Sequence, residues 1–158
     1  MISWIGRCLR LVFVLYLLTA AWQDLRSRTI STEVFAVFGM AGILLRGGQL
    51  LAECRTAEQW SAGLTDTGLA LLVGAGLLGL SVATGHAVGA GDGLFFMVSS
   101  FYLGLWQNVA LLVGGLLLCF LFCSGLLLWG CARNIRVGAY RVPFLPFLVP
   151  VGIGLVWL

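Results

Sequence analysis

The sequence predicts an all-α fold: a polytopic membrane protein built as a bundle of about six transmembrane helices. Three observations carry this. The 158 residues are 61% hydrophobic and only 9% charged, whereas a soluble domain carries about a quarter charged residues. The mean hydropathy is +1.07. The apolar residues gather in runs that approach the length a bilayer requires, roughly 20 residues each, separated by short polar connections. The whole chain, residues 1–158, then forms a single integral-membrane domain with spans at about 4–23, 34–52, 67–84, 93–106, 109–131 and 143–158.

The first span follows from the apolar run Leu11 to Trp22. Arg7, Arg10 and the small residues Thr19-Ala20-Ala21 give it some likeness to a secretory signal peptide. The chain downstream is equally apolar, so a retained first helix is the expectation, with Arg7 and Arg10 snorkelling outward. The polar connection Asp24 to Ile30 and the second span follow, with Glu33 near the start of that helix. Glu53 to Asp66 is the most hydrophilic stretch and reads as a loop, with Trp60 at an interface. Asp66 then opens the third span, where an acid favours a helix N-terminus. Within that span Ala75 and Gly79 form a small-xxx-small face suited to close helix packing.

Beyond Asp92 no charge occurs until Arg133, and the 40 residues between them hold two spans. Trp106-Gln107-Asn108 is the natural break. The cysteines Cys119 and Cys123 continue from Gly115 at four-residue spacing, which reads as a packing stripe. No C-x-x-C pair occurs among the five cysteines, so neither a zinc ribbon nor a thioredoxin-like motif is written here. The sixth span carries Pro143, Pro146 and Pro150, which remove backbone donors and predict a bent helix.

All nine basic residues are arginines, and the formal charge is +3. They are scattered between apolar runs as membrane-flanking residues, which excludes a nucleic-acid partner. The expected surroundings are the lipid bilayer. Six spans put the loops after the first, third and fifth on one side, and these carry Asp24, Asp92 and the arginines from Arg133 to Arg141. Five arginines on that side against four on the other favour a cytoplasmic location for the aspartates.

The tetrad Gly89-Ala90-Gly91-Asp92 stands out in this apolar setting. An ionisable group at membrane depth is costly and marks a functional site by default. The flanking glycines, Gly89 and Gly91, let the backbone approach another backbone closely. A fourth span of 14 residues covers roughly 21 Å against a core of about 30 Å. With Trp106 at the far interface, Asp92 lies several ångströms inside the membrane. Asp24 shares its face. Two neighbouring carboxyls in a poorly solvated site do not both ionise easily and hold one proton between them. One then activates water while the other protonates a carbonyl, as in aspartic proteases. The reaction needs no metal, cofactor or nucleophilic side chain. The only histidine, His86, reads as structural.

Three ordered stretches carry a resemblance: Asp24-Leu25-Arg26-Ser27-Arg28-Thr29-Ile30, Gly89-Ala90-Gly91-Asp92, and Val142-Pro143-Phe144-Leu145-Pro146-Phe147-Leu148. Together they resemble the type IV prepilin peptidases, intramembrane aspartic proteases of the GxGD class. The resemblance implies that Asp24 and Asp92 are catalytic and that Gly89 and Gly91 shape the motif's backbone. It implies a prepilin-like protein as substrate, cut behind a short basic leader at the cytoplasmic face. Family substrates carry a glycine before the scissile bond and an apolar segment after it. Arg26 and Arg28 are candidate substrate or lipid contacts, as are Pro143 and Pro146.

Two departures from the family pattern accompany the likeness. Leu94 stands where the family often has lysine, and Ser31-Thr32 replaces its Pro-Asn. No methyltransferase region is present, so N-methylation of the product is not expected. Gln23 before Asp24 separates the chain from presenilin-like proteases, which have a Tyr-Asp pair. Two other classes fit parts of the pattern. A small proton-coupled transporter would also bury acids, and a catalytically inactive pilus-assembly relative would keep the frame.

Overall fold

A computed structural model of the protein describes residues 4–27, 30–85, 89–133 and 142–157. Among the described residues there are six helices: α1 (Trp4–Ser27), α2 (Thr32–Glu53), α3 (Ala57–Ala83), α4 (Ala90–Ser99), α5 (Leu105–Arg133) and α6 (Leu145–Trp157). The all-α reading holds, and α1, α2, α3 and α5 are each long and apolar enough to cross a membrane. The principal contacts close a ring in the order α1, α2, α4, α3, α5, α6 and back to α1.

The ring encloses an aromatic and aliphatic core. Phe13, Tyr16 and Leu17 of α1 meet Phe95 and Phe96 of α4, Leu111 of α5 and Leu148 of α6, all fully buried. The Tyr16 ring stacks on Phe95 with centroids 4.9 Å apart, and its hydroxyl donates to the Phe95 carbonyl. The Tyr102 hydroxyl donates to the Phe38 carbonyl. Both phenols thus satisfy their polar ends inside the core. The outer faces carry the exposed side chains of Leu44, Leu72, Phe120 and Leu128. Such faces are suited to lipid, where backbone groups must be satisfied within each helix.

Glycine decides the closest approach. A Cβ on Gly74 would collide with the backbone of Met97, and one on Gly93 would sit 2.6 Å from Leu78 Cγ. These two glycines hold α3 and α4 nearly in backbone contact. The small-xxx-small face expected at Ala75 and Gly79 is not used within the chain: both are exposed, and Gly79 faces open space. Gly115 does pack, against Leu148 and Phe144 of α6.

Several expected boundaries differ. The helix α3 starts at Ala57, so most of the hydrophilic stretch is helical. Thr56 accepts the Gln59 amide at 3.3 Å, and the Gln59 side chain accepts the Arg55 amide at 2.9 Å. This reciprocal capping offsets the low hydropathy of the first turns. Asp66 therefore lies in the third turn of α3 rather than at its start. Its carboxylate instead accepts the Leu105 amide, which opens α5. Glu33 does sit in the first turn of α2.

The break between the fourth and fifth helices falls at residues 100–104, not at Gln107-Asn108. Asn108 is fully buried. It accepts from Ser99 Oγ at 2.7 Å and donates to the Ala70 and Phe96 carbonyls at 3.3 Å. A buried amide with these partners is stable inside the bundle. The depth argument based on Trp106 therefore loses its marker. Of the three prolines, only Pro150 lies in the helix interior. Pro143 precedes α6, and Pro146 is in its first turn, where the missing donor would have no intrahelical partner.

Candidate active site

The end of α1, the start of α2, the start of α4 and the start of α6 converge at one end of the bundle. Asp24, Thr32, Gly91, Asp92, Leu94 and Leu145 line a cavity there of about 270 Å³, with Ile30 and Phe35 as apolar walls. The two aspartates, 68 positions apart in sequence, are close enough for their charges to interact. Both are half-buried.

Their depth now follows from helix packing rather than from Trp106. Asp24 lies three residues before the end of α1, and Gly93 packs on Leu78, five residues before the end of α3. At 1.5 Å per residue the carboxyls are set back from these helix ends by about 4 to 8 Å.

Each aspartate is held by local structure. Asp24 Oδ2 accepts the amide of Leu145, the first residue of α6, at 3.1 Å. Asp92 is in the first turn of α4 and donates its own amide to the Gly89 carbonyl at 3.1 Å. Its carboxyl folds back over Gly89, where a Cβ would lie 3.1 Å from Oδ2. A Cβ on Gly91 would meet only Ile30 Cδ1, at 3.8 Å. Gly89 thus makes room for the acid, and Gly91 leaves the cavity wall without a side chain.

The other expected site residues sort unequally. Arg26 is exposed in the last turn of α1 and does not line the cavity. Pro143 and Pro146 are half-buried and flank the cavity through Leu145 without lining it themselves. Arg28 and His86 lie outside the described residues.

Sequence reasoning missed the Leu145 amide, because a backbone donor carries no residue signature. It also missed Cys119, which is half-buried on α5 and near enough to Cys123 and Asp92 to interact with them electrostatically. The departure at Ser31 has a structural use. Its amide donates to Gln23 Oε1 at 3.0 Å, a bond a proline there could not make. Thr32, the second departure, lines the cavity.

A larger cavity, about 490 Å³, lies at the opposite end among Arg10, Arg46, Glu53, Asp66 and Gln107. Its charges complete helix ends and one ion pair. Arg10 donates to the Val156 carbonyl near the end of α6 at 3.1 Å, and Arg46 pairs with Asp66 at 3.4 Å. The smaller cavity is the one that brings two carboxyls together.

The sequence profile of the type IV leader peptidase family matches residues 11–132, a segment that contains both aspartates. The chain belongs to the type IV leader peptidase family. It is accordingly a multi-pass membrane protein of a protease family. No curated protein and no solved structure matches the chain. The family match ends before α6. The Leu145 contact therefore lies outside the matched residues.

Proposed function

We propose that the protein is an aspartic endopeptidase that removes the leader of prepilin-like proteins at the cytoplasmic face of the membrane. The observation that carries this reading is the meeting of Asp24 and Asp92 on one cavity at a bundle end. No covalent intermediate is required. One carboxylate takes a proton from water as the water oxygen bonds to the scissile carbonyl carbon, and the other carboxyl protonates the carbonyl oxygen. The setting of the pair, slightly below the helix ends, suits a bond at the junction of a basic leader and an apolar segment. The apolar segment would run along the exposed helix faces in the bilayer. Arg26, exposed in the last turn of α1, would contact anionic lipid headgroups.

The reading is tested with membranes containing the protein and a peptide with a basic leader, a glycine and an apolar segment of about 20 residues. Cleavage after the glycine is expected. Asp24→Asn and Asp92→Asn should each abolish it while leaving the protein inserted and folded. Full cleavage by either variant would overturn the catalytic pair.

A further inference from the structure

The two carboxyls of the site are not equivalent. Asp24 Oδ2 accepts the Leu145 amide at 3.1 Å across 121 positions of sequence. An N–H bonds a carboxylate oxygen more strongly than the carbonyl oxygen of a neutral carboxyl and therefore favours the charged form of the group it meets. Leu145 is also the first residue of a 13-residue helix, so the bond draws on the positive end of the α6 dipole. Asp92 also lies at the positive end of a helix, in the first turn of α4, but it receives no such bond. Among the described residues no N–H or O–H reaches its carboxyl, and it borders Gly89 and the apolar wall of the cavity.

We infer that Asp24 is the charged base of the pair, that Asp92 carries the shared proton, and that the Leu145 amide is the positioning group that fixes this division. The inference rests on the proposed protease reading for its catalytic meaning. In the first step water gives a proton to the Asp24 carboxylate, its oxygen bonds to the carbonyl carbon, and the Asp92 proton passes to the carbonyl oxygen. In the second step the C–N bond breaks and the proton on Asp24 goes to the leaving nitrogen. One hydroxyl proton of the diol returns to Asp92. The pair ends as it began.

Among the described residues, these titratable and polar groups neighbour the pair. The helix α5 contributes Cys119, a free thiol beside Cys123. The helix α2 contributes the Thr32 hydroxyl at the cavity and Glu33, exposed, in its first turn. From α1 comes Arg26, exposed, and from α6 only the amide. The helix α3 has no ionisable side chain after Asp66.

Two measurements decide the assignment. The first needs no substrate: the infrared band of a protonated carboxyl, recorded on the purified protein at about pH 5.5, where exposed carboxyls are already ionised. The band should persist in Asp24→Asn, where Asp92 remains, and vanish in Asp92→Asn, where Asp24 remains. A band retained in Asp92→Asn, or absent from Asp24→Asn, overturns the assignment.

The second measurement compares Leu145→Pro with Leu145→Ala in the peptide cleavage assay. Both lose the leucine side chain, but only proline removes the donor, at a first helical position where proline is tolerated. The acidic limb of the pH profile should move upward by about one unit in Leu145→Pro relative to Leu145→Ala. Equal profiles, or a downward shift, overturn the positioning role. Failure of the unmodified protein to cleave the peptide counts against the protease reading, while the infrared result still decides which carboxyl holds the proton.

Discussion

Asp66 of α3 caps α5: its Oδ1 accepts the Leu105 amide at 3.0 Å across 39 positions of sequence. The other oxygen faces Arg46 Nη2 at 3.4 Å. The contact pins the start of α5 beside the third turn of α3, about 13 Å from that helix's first residue. It thereby sets how far α4 and the turn after it must travel.

Asp66→Ala removes an N-terminal cap and leaves Arg46 without its acid. A loss of about 1 to 2 kcal/mol is expected, read as a lower thermal unfolding midpoint in detergent. Asp66→Asn keeps an acceptor for the Leu105 amide and should lose less. Equal midpoints for Asp66→Ala and the unmodified protein would remove the cap from the account.

The approach of α3 to α4 predicts a contrast between two glycines of one helix. Gly74→Ala forces a Cβ onto the Met97 backbone and should cost about 1 to 3 kcal/mol through overpacking. Gly79→Ala enters open space in a helix interior and should leave the unfolding midpoint unchanged or raise it slightly, since alanine is the better helix former. Equal effects from the two would mean that α3 and α4 pack differently.

The glycines of the tetrad should also separate. Gly89→Ala introduces a Cβ 3.1 Å from Asp92 Oδ2, tighter than ordinary packing, so the carboxyl must move. Cleavage of the test peptide should fall at least about tenfold, since small misplacements of reacting groups are costly. Gly91→Ala meets only ordinary contact with Ile30 and should lose less activity. The ratio of the two rates, with thermal unfolding as a control, checks this.

Leu94 lines the cavity and is 37% exposed, so a longer polar side chain can be accommodated. Leu94→Lys places a cation beside two carboxyls, which favours their charged forms. The acidic limb of the cleavage profile should therefore move to lower pH, by about one unit. An unmoved limb would mean that the lysine turns away from the pair.

Much of the fold was legible because hydropathy and residue type act locally. Runs of apolar residues must become helices where no water can satisfy the backbone, so the number and order of helices followed from composition. The boundaries were harder. The capping pair Thr56 and Gln59 is visible as a T-x-x-Q pattern, yet the low hydropathy around it suggested a loop. Asn108 suggested a break for the same reason. Its burial depends on acceptors and donors brought from Ala70, Phe96 and Ser99, which no local pattern announces.

The candidate site divides along the same line. That Asp24 and Asp92 belong at one end of the bundle was an expectation the sequence supported, because the parity of helix crossings follows from counting apolar runs. So was the room around Asp92, since glycine is recognisable wherever it stands. That the pair meets on one cavity, with Leu145 bonded to only one of its members, belongs to the tertiary structure. This difference comes from a backbone amide delivered by α6 to the end of α1. Every residue but proline has such an amide, and only the packing of the six helices decides which one arrives.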